Sequence, residues 1–293
     1  MTSTEPAIAV VPYGRWPTFG IAKMSLDELV WPLGRPARLQ EGTVADLSSE
    51  DHLLTFPRKP MFYLPWFGVQ ARVSVMIVEP DSVHAHHLKN ARRLHRRFHR
   101  VLTKNSAVLK AVPNALHFVF GFTFIDDLDA IDPTKLQMTS LIASAKRDLE
   151  GHQLRHRIVD HLREKNLDVD VMGRGYKAFE HKQDGLAPYR YSVVIENTQE
   201  LDYFTEKMVD AALCKTVPIY WGCPNIAKFF DPDGMIICET EEDIRKALMQ
   251  TSAEDYASRI DALEENAKRA KFYADYLGRA ARTIEQDKPC LYA

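Results

Sequence analysis

The sequence is short of cysteine, of long apolar runs and of net charge, and each shortage narrows the classes of protein to which it can belong. Its four cysteines form no C-x-x-C pair, and we interpret them as free thiols in a reducing compartment. No stretch of about 18 apolar residues occurs, and the first residues, MTSTEP, do not resemble a signal peptide, so we expect a cytoplasmic protein without a transmembrane segment. The net charge of −2 gives no general attraction to nucleic acid or to acidic membranes.

The sequence does contain enough apolar material for two domains. With 293 residues, of which 45% are hydrophobic and 27% charged, its composition is that of an ordinary globular protein. The length suits two domains of about 130–150 residues each. The polar segment Asp126–Thr139, which includes Pro133, is typical of a linker. We therefore predict one domain over residues 1–135 and a second over residues 136–293.

Both halves of the chain alternate short apolar runs with amphipathic stretches. The strands predicted in the first half are Ile8–Val11, Leu53–Phe56, Val73–Val78 and His117–Phe122, with helices over Leu88–Arg100 and Ser106–Ala111. The strands predicted in the second half are Leu141–Ser144, Val169–Met172, Tyr191–Ile195 and Val217–Trp221, with helices over Gly151–Asn166, over Thr205–Cys214 and near the C-terminus. This alternation predicts an α/β protein with two Rossmann-like domains facing each other across a cleft, in which ligands bind beyond the carboxyl ends of the strands.

One strand–loop–helix unit carries the clearest chemical signal. The strand Tyr191–Ile195 delivers Glu196 and Asn197 to its carboxyl end, and a helix follows that begins near Thr205. Lys207 lies in the first turn of that helix, where the helix dipole disfavours a cation. A cation at that position makes sense if an anion docks there, and a diphosphate is the natural candidate. The alternative is an ordinary βαβ unit with a solvated lysine.

The same stretch resembles a known family. YRYSVVIENTQELDYFTEKMVDAALCKTVPIYWGCPNIAKFFDP is similar to the donor-binding signature of the family 10 glycosyltransferases, the α-1,3/1,4-fucosyltransferases, and especially to bacterial members. Weaker similarity extends from Leu141 to Gly175 and forward to about Phe272. The resemblance implies the GT-B fold, a donor-binding C-terminal domain, an acceptor-side N-terminal domain, GDP-fucose as donor, inversion at the anomeric carbon, and no obligatory metal.

The resemblance also implies roles for individual donor-side residues. It suggests that Lys207 contacts the donor diphosphate and that Glu206 contacts the donor sugar or ribose, while Asn197 and Tyr203 complete that wall. Arg155 matches the position of a phosphate-binding arginine, and a guanidinium suits a diphosphate because its planar fork donates two parallel hydrogen bonds. The alternative for Arg155 is a surface arginine on a helix.

Glu79 is the residue that the resemblance suggests as catalytic base. It follows the strand Val73–Val78, as a glutamate follows an N-terminal strand in the family, and a switch point of the sheet would place it near ligand. The family often has glycine before this glutamate, whereas this chain has Val78. A glutamate before proline at the end of a strand is also a common turn feature. In the implied mechanism Glu79 accepts the proton of an acceptor hydroxyl while that oxygen attacks C1 of the sugar and GDP leaves from the opposite face.

Three other signals favour structural explanations. His95 and His99 have the i,i+4 spacing of a metal pair, but no carboxylate or cysteine spacing accompanies them, and we predict no metal site. The run Arg92–Arg100 is basic; a solvated face is the first interpretation and an anionic glycan or lipid surface the second, with no nucleic-acid motif to support a third. Asp168-Val-Asp170 mimics a metal-binding D-x-D but precedes a strand, as it does in the family.

The sequence leaves other functions open. The same fold serves glycosyltransferases that use another nucleotide-sugar, and a non-catalytic glycan- or nucleotide-binding protein could keep the donor wall without turnover. The expected partners are GDP-fucose and a glycan acceptor whose identity and linkage the sequence does not specify, and the oligomeric state stays open.

Overall fold

A computed structural model describes residues 5–14 and 20–292, which form two compact units. The first comprises the described residues up to Val119 together with Leu277–Leu291, and the second comprises Phe120–Tyr276 with Tyr292. Each unit has one parallel β-sheet with helices, so the predicted α/β class with two Rossmann-like halves is confirmed.

The first unit contains a five-stranded parallel sheet whose strands are neighbours in chain order. The strands are β1 (Ile8–Val10), β2 (His52–Thr55), β3 (Arg72–Ile77), β4 (Val101–Thr103) and β5 (Ala115–His117). Two α-helices follow β3 and β4, namely α1 (Asp81–Leu94) and α2 (Ser106–Ala111). The central strand β3 is buried except at Arg72, which explains why it is a nearly continuous apolar run in the sequence.

Two predicted boundaries in the first unit were wrong. Helix α1 begins at Asp81, not at Leu88, because Pro80 supplies an extended N-cap from which the helix starts at once. The strand predicted over His117–Phe122 ends at His117 as β5. Its neighbour β4 offers only three residues for pairing, so the apolar residues that follow have no strand to continue the ladder.

The second unit also has a five-stranded parallel sheet, but its strand order is β10-β9-β8-β6-β7. Its strands are β6 (Gln137–Ile142), β7 (Asp170–Met172), β8 (Tyr189–Ile195), β9 (Val217–Trp221) and β10 (Ile236–Ile237). Its helices are α3 (Glu150–Lys165), α4 (Glu206–Leu213), α5 (Glu241–Leu248), α6 (Ala253–Ser258) and α7 (Ile260–Ala274). Helix α5 begins with a capping box, in which Thr240 and Asp243 each accept a hydrogen bond from the backbone N–H of the other.

The strand order of the second sheet reverses between β6 and β8. The chain runs from β6 outward to β7, then crosses back to β8 on the other side of β6. In open parallel sheets such a reversal opens a crevice at the carboxyl ends of the two strands, and ligands bind there. The first sheet has no reversal among its described strands, so the prediction that Glu79 lies at a switch point of its sheet was wrong.

The last helix, α8 (Tyr276–Glu285), packs almost entirely into the first unit. Its Arg279 is fully buried, donates a hydrogen bond to the carbonyl oxygen of Val119 at 3.1 Å and places its guanidinium 5.0 Å from the ring centre of Phe118. The compact units therefore divide at residues 119 and 120 and again near residue 276, whereas the sequence prediction divided the chain once, after residue 135. An amphipathic pattern shows that a helix packs on a core, but it does not show on which core.

Within the described ranges, no helix combines the length and the apolar character that crossing a bilayer requires. The first four residues of the N-terminal segment MTSTEP, which does not resemble a signal peptide, lie outside the described residues.

Candidate functional site

The site begins where β8 ends, at the strand-order reversal. Glu196 directly follows β8, and its side chain is completely buried. Its carboxylate accepts hydrogen bonds from the backbone N–H of Thr205 at 2.8 Å and from the Thr205 hydroxyl at 2.7 Å. Thr205 is the N-cap of α4, so this carboxylate holds the start of α4 against the end of β8.

Lys207 lies in the first turn of α4 beside two carboxylates. Its ammonium group donates to the Thr205 hydroxyl and to Glu206, each at 3.0 Å, and it lies 3.6 Å from Glu196. From the sequence, only an incoming anion accounted for this cation, whereas in the structure Glu206 and Glu196 already balance its charge. The Lys207 side chain is 21% exposed, so this ion-paired lysine is partly accessible to solvent.

Burial and ion pairing shift the pKa values of Lys207, Glu196 and Glu206 in opposite directions. Burial alone would lower the pKa of Lys207, but Glu206 and Glu196 hold it above its ordinary value, so the lysine is charged. Burial raises the pKa of Glu196, with Lys207 opposing the shift. Burial would also raise the pKa of Glu206, but Lys207 and Lys182 together hold it below its ordinary value. Glu206 is therefore the carboxylate that stays ionised, and Glu196 is the one more easily protonated.

Arg155, on α3, turns inward to the same strand end. Its Nε and Nη2 donate to the carbonyl oxygen of Ile195 at 3.0 and 2.5 Å, and Nη2 donates to Oδ1 of Asn197 at 3.1 Å. The residue is only 5% exposed, so the alternative of a surface arginine is wrong. Arg155 thus binds the carbonyl that ends β8, and it fixes the orientation of the Asn197 amide.

Gly151 allows the first turn of α3 to reach this strand end. Its N–H donates to the carbonyl oxygen of Asn197 at 3.0 Å. A Cβ atom at Gly151 would lie 1.7 Å from the carbonyl oxygen of Glu196, far inside any real contact. Only glycine permits so close an approach of the two backbones, and the N-terminal turns of α3 and α4 therefore both meet the Glu196–Asn197 turn.

Tyr203 lies beneath the loop between β8 and α4. Its side chain is 1% exposed, which places it in the floor of the site. The preceding Asp202 has a positive φ of 58°. Asn225 holds that residue by accepting from its N–H at 2.9 Å and donating to its carboxylate at 2.7 Å. The loop is therefore fixed on the inside by Tyr203 and on the outside by Asn225.

The sequence analysis missed Asp210 and Lys182. Asp210 lies one helical turn after Glu206 and is fully buried; its Oδ1 accepts from the Thr123 hydroxyl at 2.6 Å, and its Oδ2 has no partner among the described residues. Burial raises the pKa of Asp210 to about 7, with Lys182 opposing. Burial lowers the pKa of the half-buried Lys182, with Asp210 and Glu206 opposing. The i,i+4 spacing from Glu206 was a signal for Asp210, whereas Lys182 lies in a polar loop that gave none.

Three cations and three carboxylates thus converge at the reversal of the second sheet. We call this group the switch-point cluster; its members are Arg155, Lys182, Glu196, Glu206, Lys207 and Asp210. Strong pKa shifts at the carboxyl edge of an α/β sheet are a physical indicator of a functional site. The predicted donor residues of the second unit all lie in this cluster or in the turn and loop that touch it.

Glu79 lies in the first unit, two residues beyond the end of β3. It is half-buried and is followed by Pro80 and by helix α1. The structure therefore places it at the carboxyl end of the central strand of the first sheet, as the sequence predicted.

The histidines of the first unit are engaged separately. His95 contacts Asn114 through Nδ1 at 2.9 Å, and the ring of His99 lies 4.9 Å from that of His52. Burial lowers the pKa of His84 to about 4 and that of His87 to about 3. Across the ranges that the structure describes, no three His, Cys, Asp or Glu side chains are grouped as metal ligands would be.

Comparison with known proteins agrees with this geometry. Residues 133–277 match the family model described as glycosyltransferase family 10 (fucosyltransferase), C-terminal part. An alpha-(1,3)-fucosyltransferase of Helicobacter pylori is 42% identical over 62 residues, which are 21% of this chain but only 13% of that protein, so the match spans a small part of the curated relative.

Solved structures extend the similarity to the whole fold. The crystal structure of an alpha1,3-fucosyltransferase with GDP has a TM-score of 0.52 at 18% identity, covering 98% of this chain and 92% of that one. A glycosyltransferase of Rickettsia africae has a TM-score of 0.54 at 10% identity, covering 81% of this chain and 76% of that one. These likenesses establish the GT-B fold. Residues 133–277, which make up most of the second unit, identify that part of the chain as a member of glycosyltransferase family 10.

Proposed function

We propose that the protein transfers fucose from GDP-fucose to a hydroxyl group of a glycan acceptor, as an inverting α-1,3/1,4-fucosyltransferase. The observation that carries this proposal is the convergence of Arg155, Asn197, Glu206 and Lys207 at the strand-order reversal, within the segment that matches the family. The Helicobacter pylori relative is named an alpha-(1,3)-fucosyltransferase, and a structural neighbour was solved with GDP, which supports this choice of donor.

In this proposal the N-terminal turn of α4 and the ammonium of Lys207 hold the donor diphosphate. The first backbone N–H groups of a helix and its dipole favour an anion there, and the partly exposed Lys207 adds a full positive charge. Glu206 accepts a hydrogen bond from a hydroxyl of the sugar or ribose. Arg155 orients the Asn197 amide and adds positive potential from beneath. We propose no obligatory metal, because Arg155, Lys182 and Lys207 can balance the charge that grows on the leaving GDP.

The proposed reaction is a single displacement. The acceptor oxygen forms its bond to C1 of fucose as the bond from C1 to the diphosphate oxygen breaks, and Glu79 takes the proton of the acceptor hydroxyl. GDP leaves with the electron pair, and preorganised donors stabilise the charge that develops on it. One displacement inverts the configuration at C1. The cytoplasmic location inferred from the sequence is part of the proposal, and the four free cysteines are compatible with it.

The donor is tested by a thermal-shift comparison of GDP, UDP, ADP and CMP, each with and without EDTA. We expect GDP to raise Tm selectively, and to do so in EDTA, because a ligand that binds only the folded state stabilises it by mass action; at 100 times Kd the gain is about 2.7 kcal/mol. Stabilisation by UDP in place of GDP would identify another nucleotide-sugar as the donor. If no nucleotide raises Tm, the donor-site assignment fails.

Asp210 makes the stability of the fold depend on pH in a predictable direction. Because burial raises its pKa to about 7, the folded protein keeps a proton on Asp210 that the unfolded chain loses near pH 4. The folded state is thus favoured most below the ordinary carboxyl pKa, and this contribution is lost as the pH rises to about 7. We expect Asp210→Asn, which keeps an acceptor for Thr123, to lose less stability than the wild type between pH 4.5 and 7.5 in urea unfolding.

The matched control for this pH series is Asp160→Asn, an exposed position on α3. Its unfolding free energy should follow the wild-type pH dependence. Parallel curves for Asp210→Asn and the wild type would show that Asp210 is ionised in the folded protein throughout this range.

A further inference from the structure

The segment that follows Glu79 has an excess of positive charge that plays no part in the proposed donor site. Residues 81–120 contain eight lysines and arginines but a single acidic residue, Asp81, in a chain whose net charge is −2. Asp81 is itself neutralised, because its carboxylate accepts from Lys104 at 3.3 Å and from the Asn105 amide at 2.6 Å. No other acidic residue of this segment balances the remaining positive charges.

Part of this charge lines an open groove between α1 and α2. Lys89, Arg92 and Arg93 stand along α1, and Ala107 and Ala111 face them from α2 in a groove of about 630 Å³. The two alanines are four residues apart and lie on one side of α2, so their short side chains leave the space between the helices unfilled. The groove is thus concave and cationic, with a floor of small apolar groups.

The three groove cations have no hydrogen bond or ion pair with any residue that the structure describes. Three arginines on or beside other helices pair with an acid four residues earlier, namely Arg245 with Glu241, Arg259 with Asp255 and Arg269 with Glu265. On α1 the corresponding earlier residues are alanine, leucine and lysine. The charges of those three arginines are balanced by a neighbouring acid, and the charges of the groove cations are not.

We propose that the groove between α1 and α2 binds a carboxylate- or phosphate-bearing part of a saccharide acceptor. The proposal rests on the proposed function, and it names the class of acceptor. The groove and Glu79 belong to the same unit, and α1 begins two residues after Glu79. At a rise of 1.5 Å per residue, Lys89 and Arg93 lie about 12 and 18 Å along the helix from Asp81. The anionic group therefore belongs to a sugar some distance from the accepting hydroxyl.

The lining favours a saccharide over other polyanions. Single-stranded nucleic acid binds by stacking bases on aromatic side chains, and none of the residues that line the groove is aromatic. Membrane-surface helices present large apolar side chains beside their cations, whereas this groove is concave and floored by alanines and Leu88.

The experiment compares the binding of hexagalacturonate and of neutral maltohexaose, by calorimetry, to the full-length protein. We expect hexagalacturonate to bind, with an affinity that falls as salt rises, and maltohexaose not to bind. The triple variant Lys89→Gln, Arg92→Gln, Arg93→Gln should weaken hexagalacturonate binding about tenfold or more, since each exposed ion pair contributes up to a factor of about five. The control variant Lys165→Gln, Lys246→Gln, Lys271→Gln makes the same charge change on exposed helical positions of the second unit and should bind like the wild type.

The outcomes separate this inference from the proposed function. If the groove variant binds hexagalacturonate as tightly as the wild type, or the wild type does not bind it, the inference is overturned. It is also overturned if a 20-nucleotide RNA or phosphatidylglycerol vesicles bind more tightly and lose binding in the groove variant, which would assign the groove to those partners. Stabilisation by GDP is measured on the same variants. Its absence in the wild type would contradict the proposed function. The result for hexagalacturonate binding does not depend on it, so the two proposals are tested separately.

Discussion

Replacing Lys207 by alanine should lower kcat for fucose transfer by about 10²–10³-fold, the usual loss when one preorganised donor to developing charge is removed. Lys207 is a partly exposed cation of the switch-point cluster, and Glu206 and Glu196 hold its pKa above the ordinary value. Without it, charge growing on the leaving diphosphate faces two carboxylates that have lost their nearest cation. Stabilisation by GDP should fall in the same variant, because the diphosphate is present in both ground and transition states.

The design must separate catalysis from folding, since Lys207 also neutralises buried carboxylates. Lys207→Met keeps the aliphatic stem while removing the charge. Lys207→Arg keeps the charge but replaces the ammonium group by a planar guanidinium with a different arrangement of hydrogen-bond donors. We expect Lys207→Met to be as impaired as the alanine variant and Lys207→Arg to retain more activity than either. Lys246→Ala, an exposed substitution on α5, is the control. A folded Lys207→Met protein with wild-type kcat would remove Lys207 from the proposed mechanism.

The sequence predicted those parts of the fold that depend on local pattern. The strand β9 was predicted at its observed limits, and β8 within two residues, because buried parallel strands are short apolar runs bounded by polar turns. The start of α4 was predicted from Thr205, whose hydroxyl caps the helix. The position of α8 was not predictable in this way. Its apolar stripe is equally suited to either core. From the sequence, an arginine such as Arg279 is expected on the polar face of a helix, whereas in the structure it is buried.

The candidate site was predictable in its members but not in their contacts. The sequence singled out Lys207 for its unusual place at a helix N-terminus, yet the carboxylates that stabilise it there include Glu196, which comes from the end of another element. Arg155 was expected to point at a ligand, and its guanidinium instead holds the end of β8 and the Asn197 amide. Lys182 joins the cluster from a loop distant in sequence. Contacts of this kind depend on tertiary packing, which a periodic pattern does not encode.

The strand-order reversal is what connects fold and site. The alternation of strands and helices predicted a parallel sheet, but it did not reveal that β6 is flanked by β7 and β8 on opposite sides. That order brings the N-terminal turns of α3 and α4 to one strand end, where Gly151 and Thr205 each contact the Glu196–Asn197 turn. The second sheet therefore has a topological reason for its ligand site. The strands of the first sheet lie in sequential order, so no strand-order reversal marks a ligand site there, and Glu79 is singled out only by its position after β3.

Replacing Glu79 is therefore the direct test of the proposed catalytic base. Glu79→Gln should lower kcat by roughly 10²–10⁴-fold, the contribution of a positioned general base, because the amide cannot accept the proton of the acceptor hydroxyl. The increase in Tm caused by GDP should be unchanged, since Glu79 and the switch-point cluster belong to different compact units. This pattern, lost turnover with intact nucleotide binding, differs from the joint loss expected at Lys207.

The matched control is Glu41→Gln, an exposed glutamate of the same unit, which should leave kcat and Tm as in the wild type. The hydrolysis of GDP-fucose by water offers a second measurement, because water needs the same proton acceptor as the glycan hydroxyl, and Glu79→Gln should slow both reactions. If Glu79→Gln keeps wild-type kcat with glycan acceptors, the base is another group. If it loses GDP binding as well as turnover, Glu79 acts through the structure of the protein, and the proton acceptor must be sought elsewhere.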